Sequence, residues 1–168
     1  MKRTHYIIAI FGLLVAFSAS ALAQTPLTSL SGDRVDVQGQ RGKVVILAIG
    51  ASWLPLSEKQ VEYTNVLAKK YAGRDVVIYF VATDSTAAKS RNYASADDLA
   101  KFSADHKLAV ALLRDSDGAA TLKKFSIDQV PSFVILDKQG NRAGEPFGGI
   151  DPKFDITVPI SRVVDGLL

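Results

Sequence analysis

Residues 42–57 read Gly42-Lys43-Val44-Val45-Ile46-Leu47-Ala48-Ile49-Gly50-Ala51-Ser52-Trp53-Leu54-Pro55-Leu56-Ser57. The continuous apolar run over residues 44–49 is typical of a strand that is buried on both faces of a sheet. A short loop with one tryptophan and one proline follows this run. From Ser57 onward the spacing becomes helical, and Gly73 predicts the end of the helix. One face of that helix carries Val61, Thr64, Leu67, Ala68 and Tyr71.

Strand and helix patterns alternate along the rest of the chain. Apolar runs predict strands over residues 76–82, 110–113 and 132–136, after a weakly patterned segment at residues 27–37. Ser95 followed by Asp98 is a capping arrangement that predicts a helix through Leu99 and Phe102. The remaining predictions are helices over 119–125 and 158–168, a turn at 115–118, and a hairpin turn at 138–141 that leads into residues 142–147.

This alternation predicts an α/β fold, with a central mixed, mostly parallel sheet and helices on both faces. The closing hairpin is expected to add antiparallel strands to the sheet. The length of 168 residues is that of one compact domain, since domains usually contain roughly 100–200 residues. Because we find no internal repeat, low-complexity stretch or linker, we predict a single domain over residues 24–168.

The first residues have the pattern of an export signal. Lys2 and Arg3 precede an apolar run over residues 7–17, and Ala21-Leu22-Ala23 matches a small-residue cleavage site before Gln24. We therefore predict a signal peptide over residues 1–23 and a periplasmic or secreted protein. The alternative is an uncleaved membrane anchor, because residues 18–23 would extend the apolar run toward the about 20 residues that span a bilayer.

Composition and charge exclude several classes of function. Hydrophobic residues make up 48% of the chain, which excludes a long disordered protein. Removing residues 1–23 leaves 18 basic and 17 acidic side chains, so the net charge of +3 falls to +1. Because the remaining charges are interspersed and no basic stripe alternates with aromatic residues, we expect no nucleic-acid partner.

The chain contains no cysteine. This excludes a disulfide framework, a cysteine-ligated metal site and a thiol nucleophile.

Asp115, Asp117 and Gly118 match part of a calcium loop, but the later acidic ligands are missing and a turn is the expected structure. Asp84 follows a predicted strand without a base or metal partner. No glycine-rich phosphate loop follows any predicted strand, so we predict neither a metal nor a cofactor.

Three segments, in this order, resemble the thioredoxin superfamily, specifically the exported TlpA-like thiol–disulfide oxidoreductases of the redoxin family. They are the strand and tryptophan loop of residues 42–57, the turn and helix of residues 115–125, and residues 125–140 with Val130-Pro131-Ser132. The resemblance covers roughly residues 30–149. It implies a thioredoxin-like fold and a cis peptide bond between Val130 and Pro131.

The differences from this family fall on its reactive positions. Leu54 stands where the family has its attacking cysteine, and Ser57 stands where it has the resolving cysteine. Leu54 has no ionisable group, so we predict no catalytic residue and no dithiol reaction. We expect Ser57 to cap the following helix with its hydroxyl. A serine nucleophile would need a base, and His106, the one histidine after the signal segment, lies on a distant predicted helix.

Without the reactive cysteines, the function that the resemblance still implies is binding. In the family, the backbone beside the cis proline pairs with an extended stretch of a partner protein, and the tryptophan loop forms a neighbouring wall. The hypothesis is a non-catalytic binding or assembly protein whose partner is an extended peptide or a protein. Its candidate binding residues are Trp53, Leu54, Pro55 and Leu56 in the wall, and Gln129, Val130 and Pro131 at the edge.

Two alternatives stay open at this point. In the first, the loop is a structural remnant: Leu54 and Leu56 fold inward to fill the space of the lost site, and Trp53 belongs to the core. In the second, the chain keeps the family's role as a thiol–disulfide oxidoreductase or redoxin. Peroxide reduction in this family also depends on a thiol, so the second alternative requires chemistry that no residue of the chain supplies.

Overall fold

The computed structural model describes residues 27–168. The predicted signal peptide over residues 1–23 and its cleavage after Ala23 lie outside the described residues. Over residues 27–168, none of the helices has the length and apolar character needed to cross a membrane.

The described chain forms one mixed sheet of seven strands in the order β2-β1-β5-β4-β3-β6-β7. Parallel pairing is confined to the centre, where β4 lies between β3 and β5. The outer pairs are antiparallel, so the predicted mostly parallel character holds for the central three strands only. The strands are β1 Leu27–Ser29, β2 Arg34–Val35, β3 Val44–Gly50, β4 Val76–Ala82, β5 Ala111–Arg114, β6 Ser132–Leu136 and β7 Phe147–Gly148.

Within residues 27–168, four α-helices cover the two faces of the sheet. They are α1 Ser57–Lys70, α2 Ala96–Asp105, α3 Ala119–Phe125 and α4 Thr157–Leu167, and a short 3-10 helix, Ser116–Gly118, precedes α3. Side chains of α1, α2 and α4 share one core cluster, whereas Phe125 of α3 belongs to the cluster on the opposite face. The predicted α/β architecture, with a mixed central sheet and helices on both faces, is confirmed.

Successive side chains of a strand point to opposite faces of the sheet, so a single strand contributes to both core clusters. In β3, Val44, Ile46 and Ala48 contact the first cluster, whereas Val45, Leu47 and Ile49 contact the second. All seven residues of this strand are buried, as a continuous apolar run predicts. The sequence pattern thus identified the strand that lies against helices on both faces.

The capping prediction at the start of α2 is confirmed. The Ser95 side chain accepts a hydrogen bond from the Asp98 amide at 3.0 Å, and the Asp98 carboxylate accepts one from the Ser95 amide at 2.9 Å. The Ser95 hydroxyl also donates to the Asp98 carboxylate at 2.7 Å. This bond, together with the one from the Ser95 amide, lowers the pKa of the Asp98 carboxyl, because both favour its charged form.

The predicted strand after the hairpin turn is only partly formed. Arg142 makes a single bridge to Leu136, and regular pairing returns only at β7. Two residues interrupt the strand: Gly144 has a φ of +80°, and Pro146 has no amide to donate to the ladder. The sheet therefore ends in a two-residue edge strand beside β6.

We expect replacement of Phe133 by alanine to destabilise the fold by about 3–5 kcal/mol, because this ring is fully buried at the centre of β6. The matched control is Val66→Ala on α1, whose side chain is 51% exposed and whose loss should change stability by less than about 0.5 kcal/mol. Urea unfolding followed by circular dichroism measures both values. Equal effects of the two substitutions would contradict the assignment of the core.

Candidate functional site

Two loops meet at one edge of the sheet because of strand register. Ile49 of β3 lies opposite Ser132 of β6, and Ser132 lies opposite Gly148 of β7. β3 and β6 are antiparallel, so the end of β3 and the start of β6 lie at the same edge. The loop of residues 51–56 and the loop of residues 126–131 are therefore neighbours.

The loop of residues 51–56 is compact and tied to its surroundings. The Leu54 amide donates to the Ala51 carbonyl at 3.2 Å, and the Ser57 amide donates to the Leu54 carbonyl at 3.0 Å. The Ser52 hydroxyl donates to Asp84 Oδ1 at 2.5 Å, and the Ser52 amide donates to Asp84 Oδ2 at 3.0 Å. Asp84 is buried just after β4 and thus holds the start of the loop, a role that its position at a strand end did not reveal.

The prediction that Ser57 caps α1 is wrong. The residue at the cap position is Leu56, and no side chain caps the helix there. Ser57 is already the first helical residue, so its hydroxyl lies too far along the chain to receive the first free amides. Instead the Ser57 hydroxyl donates to the Ala51 carbonyl.

Ser57 has no features of a nucleophile in this structure. Its side chain is 1% exposed, and its hydroxyl is already engaged with the Ala51 carbonyl. His106 caps the C-terminus of α2, where its ring packs against Phe102 with a centroid distance of 4.8 Å. This is the end of α2 that lies away from the loop, because α2 begins after β4 and returns to the opposite edge of the sheet.

The tryptophan of the loop is exposed. The side chain of Trp53 is 51% exposed and Pro55 is also exposed, whereas Leu54 and Leu56 are half-buried. Leu56 packs against the first core cluster, as the structural-remnant alternative expected. That alternative also placed Trp53 in the core, and this part is wrong: the loop directs its largest side chain to solvent.

Gln60 joins the helix to both strands behind the loop. Its side-chain amide donates to the Ile49 carbonyl at 3.1 Å and to the Ser132 carbonyl at 3.0 Å. Gln60 is fully buried, and its Oε1 has no hydrogen-bond partner among the described residues. The sequence analysis missed this residue. The available signal was a glutamine next to Val61 on the face of α1 that was predicted to be buried.

The second loop contains the cis bond between Val130 and Pro131 that the family resemblance implied. Pro131 is buried, Val130 is half-buried and Gln129 is exposed. Over residues 27–168, neither the amide nor the carbonyl of Val130 takes part in a hydrogen bond. Val130 precedes the first residue of β6, so these free groups continue the edge of that strand.

Two depressions flank the β7 edge of the sheet. One has a volume of about 310 Å³ and is lined mainly by polar residues of the second loop, including Asp128 and Gln129. The other has a volume of about 480 Å³ and is mainly apolar, with Phe154 and Pro159 in its wall. Gly148 lines both depressions, and a Cβ there would lie 2.8 Å from Gln129 Nε2, so a larger residue would displace the flexible Gln129 side chain.

The loop of residues 51–57 carries no ionisable side chain. The nearest cation along the helix, Lys59, forms an ion pair of 2.5 Å with Glu62, and this interaction raises the pKa of the Lys59 amine. No group of three or more histidine, aspartate or glutamate side chains could hold a metal within residues 27–168. The tryptophan loop thus presents apolar side chains, and the neighbouring loop presents the free backbone groups of Val130.

The structure places some of the candidate binding residues at the surface and others partly or fully in the interior. The structure brings the tryptophan loop and the loop of the cis proline to one edge of the sheet, as the family resemblance implied. Trp53, Pro55 and Gln129 are exposed there, and the backbone of Val130 is free. Leu56 and Pro131 mainly support the loops from within.

Comparison with known proteins agrees with this geometry. The model of the AhpC/TSA family matches residues 19–141. The thiol-disulfide oxidoreductase ResA of Bacillus cereus is 27% identical over 114 residues, which span 68% of this chain and 60% of that protein.

Two solved structures are similar in fold. A secreted Mycobacterium tuberculosis disulfide oxidoreductase superposes with a TM-score of 0.63 at 21% identity, covering 86% of this chain and 96% of the other. An exposed lipoprotein thioredoxin from Streptococcus pneumoniae gives a TM-score of 0.65 at 23% identity, covering 86% and 100%. At these identities the likeness concerns the fold alone. The family match extends over most of the chain, and the chain therefore belongs to the AhpC/TSA family of the thioredoxin superfamily, as a TlpA-like member without cysteine.

Proposed function

We propose that this chain is a non-catalytic, extracytoplasmic binding or assembly protein that holds an extended segment of a partner protein at the Trp53–Val130 edge. By this edge we mean the exposed part of the tryptophan loop together with the free backbone of Val130. The observation that supports this proposal is that a half-exposed Trp53 and the unpaired backbone groups of Val130 lie at the same end of the sheet.

The reaction of the family's oxidoreductases has no means of proceeding in this chain. Thiol–disulfide exchange begins with a thiolate that attacks a disulfide sulfur, and it needs a second thiol to resolve the mixed disulfide. Leu54 and Ser57 occupy the corresponding positions, and the sequence contains no cysteine at any position. The helix N-terminus that would stabilise a thiolate lies next to a hydrocarbon side chain instead.

Binding requires only what the edge retains. An extended segment can add to a sheet edge through backbone hydrogen bonds, while its side chains occupy neighbouring pockets. Val130 supplies one free donor and one free acceptor for such pairing. Trp53 supplies a large apolar surface, and tryptophan is enriched among the residues that dominate binding energy at protein interfaces.

The location is part of the proposal. The pattern of residues 1–23 predicts export. Two similar structures are described as a secreted oxidoreductase and as an exposed lipoprotein thioredoxin. Both likenesses support a site of action outside the cytoplasm.

The first test measures the contribution of the exposed tryptophan to partner capture from the native cell envelope. We expect Trp53→Ala to remove the captured partner, because loss of a central aromatic contact commonly costs about 2 kcal/mol or more. The matched control is Val66→Ala, an equally exposed apolar residue on α1 that should leave capture unchanged. Quantitative mass spectrometry of the captured proteins gives the readout.

Two results would contradict the binding proposal. One is that Trp53→Ala and Val66→Ala capture the same proteins in the same amounts as the unsubstituted chain. The other is that no protein is enriched over a bead control, which would favour the structural-remnant alternative.

The second test restores the thiols. We expect the unsubstituted chain to show no reduction of insulin disulfides, and the double variant Leu54→Cys, Ser57→Cys to gain this activity. The reason is that both positions flank the start of α1, where the helix terminus favours a thiolate. A turbidity assay with dithiothreitol as the electron source measures the rate.

The matched controls are the two single variants, which lack either the attacking or the resolving thiol and should show no sustained turnover. Insulin reduction by the unsubstituted chain would overturn the non-catalytic assignment. Inactivity of a folded double variant would show instead that the loop has lost the geometry of the family's site.

A further inference from the structure

A polar cavity lies next to the loop that contains Val130. Its volume of about 310 Å³ is at the lower end of ligand pockets, which usually measure about 300–1,000 Å³. Its polar lining consists of Ser126, Asp128, Gln129, Ser132 and Glu145. Three of these residues, Ser126, Asp128 and Gln129, belong to the same loop as Val130, so a segment that pairs with Val130 passes the mouth of the cavity.

A buried hydroxyl without a partner forms part of this lining. Ser132 is fully buried, and its Oγ has no hydrogen-bond partner among the described residues. Side chains alternate along β6, so Ser132 lies on the same face as Val134 and Leu136. That face is the one covered by Ile127 of the second loop, which also lines the cavity. The Ser132 hydroxyl therefore lies behind the wall of the cavity as a buried polar atom without a partner among the described residues.

The charge of the cavity is negative. Asp128 is exposed and forms no ion pair or hydrogen bond with the rest of residues 27–168. Glu145 pairs with Arg142 at 3.1 Å, and the same guanidinium donates to the Phe125 carbonyl at 2.6 Å. Arg142 thus balances Glu145, the carboxylate of Asp128 stays unbalanced, and no residue lining the cavity is cationic.

This combination selects for a cationic donor. A lysine ammonium carries three donors and an arginine guanidinium five, and neither has an acceptor. The cavity offers the Asp128 carboxylate and the Gln129 amide oxygen as acceptors. Gln129 forms no hydrogen bond elsewhere over residues 27–168, so its amide is free to bind.

We propose that this cavity is a specificity pocket for a lysine or arginine side chain of the extended segment that binds at the Trp53–Val130 edge. The inference rests on the proposed function, because it assigns the segment one chemical property. The side chain would extend from the segment into the cavity, with its cationic end at Asp128 and Gln129. The apolar depression on the other side of Gly148 is free to receive a neighbouring side chain of the same segment.

The test uses fluorescein-labelled heptapeptides of alternating threonine and valine, which differ only in the central residue: lysine, norleucine or glutamate. Fluorescence anisotropy with the purified chain measures each Kd. We expect the lysine peptide to bind about five- to tenfold more tightly than the norleucine peptide, the effect of one charge-assisted hydrogen bond in a partly enclosed site. The glutamate peptide should bind most weakly, and the preference for lysine should decrease with added salt.

Two variants connect the preference to the cavity. Asp128→Lys should reverse it, so that the glutamate peptide binds more tightly than the lysine peptide. Asp105→Asn is the matched control, because it removes an exposed carboxylate at the far end of α2 and should leave the preference unchanged. A reversal of charge preference is a result that mere destabilisation of the loop would not produce.

The outcomes separate the two proposals. Equal binding of the lysine and norleucine peptides, abolished by Trp53→Ala, would overturn the specificity pocket and leave the binding edge intact. A lysine preference that Asp128→Lys does not change would also overturn the pocket. Absence of binding by all three peptides would overturn the pocket and count against the edge on which it rests.

Discussion

Strand β3 pairs with β4 along its whole length on one side and with β6 on the other, and this double pairing positions everything at the candidate site. The parallel pairing with β4 places Asp84 beside Ser52, whose contact holds the start of the tryptophan loop. The antiparallel pairing with β6 brings Val130 to the same edge. Gln60 reinforces the arrangement, because its one side-chain amide donates to a carbonyl on each strand. A shift of one residue in either register would separate these groups.

The loss of both thiols changes the chemistry of the loop without removing its architecture. At the two positions where the family has its thiols, Leu54 is half-buried and Ser57 donates its hydroxyl to the Ala51 carbonyl, while the intervening Leu56 packs against the core. Trp53 stays at the surface, although burying a side chain of this size would be favourable. A loop that served only packing would be expected to bury it. The exposed ring and the unpaired backbone of Val130 are the features on which the proposed binding role rests.

Much of the fold could be predicted because its signals are local. The apolar run of residues 44–49 became a fully buried strand, and the Ser95–Asp98 pair became a capping box. The features that were predicted wrongly or missed depend on how the loop folds and on contacts between elements. Serine is a residue type that often caps helices, which is why Ser57 was expected to cap α1. The position at which the helix begins, however, is set by the turn that leads out of β3. The polarity of Gln60 gives no indication that its amide bridges two strands, since both acceptors come from residues far along the chain or on another element.

The order of residues alone establishes the alternation of strands and helices, the family resemblance and the absence of dithiol chemistry, because each of these depends on local pattern or on residue type. The tertiary structure alone decides which side of the loop faces solvent, which backbone groups stay unpaired and where a carboxylate and a buried hydroxyl line the same cavity. Such properties arise from strand register and from the packing of segments that are distant in sequence. No local pattern encodes them, since the same Trp-Leu-Pro-Leu loop would be compatible with either a buried or an exposed tryptophan until its neighbours are in place.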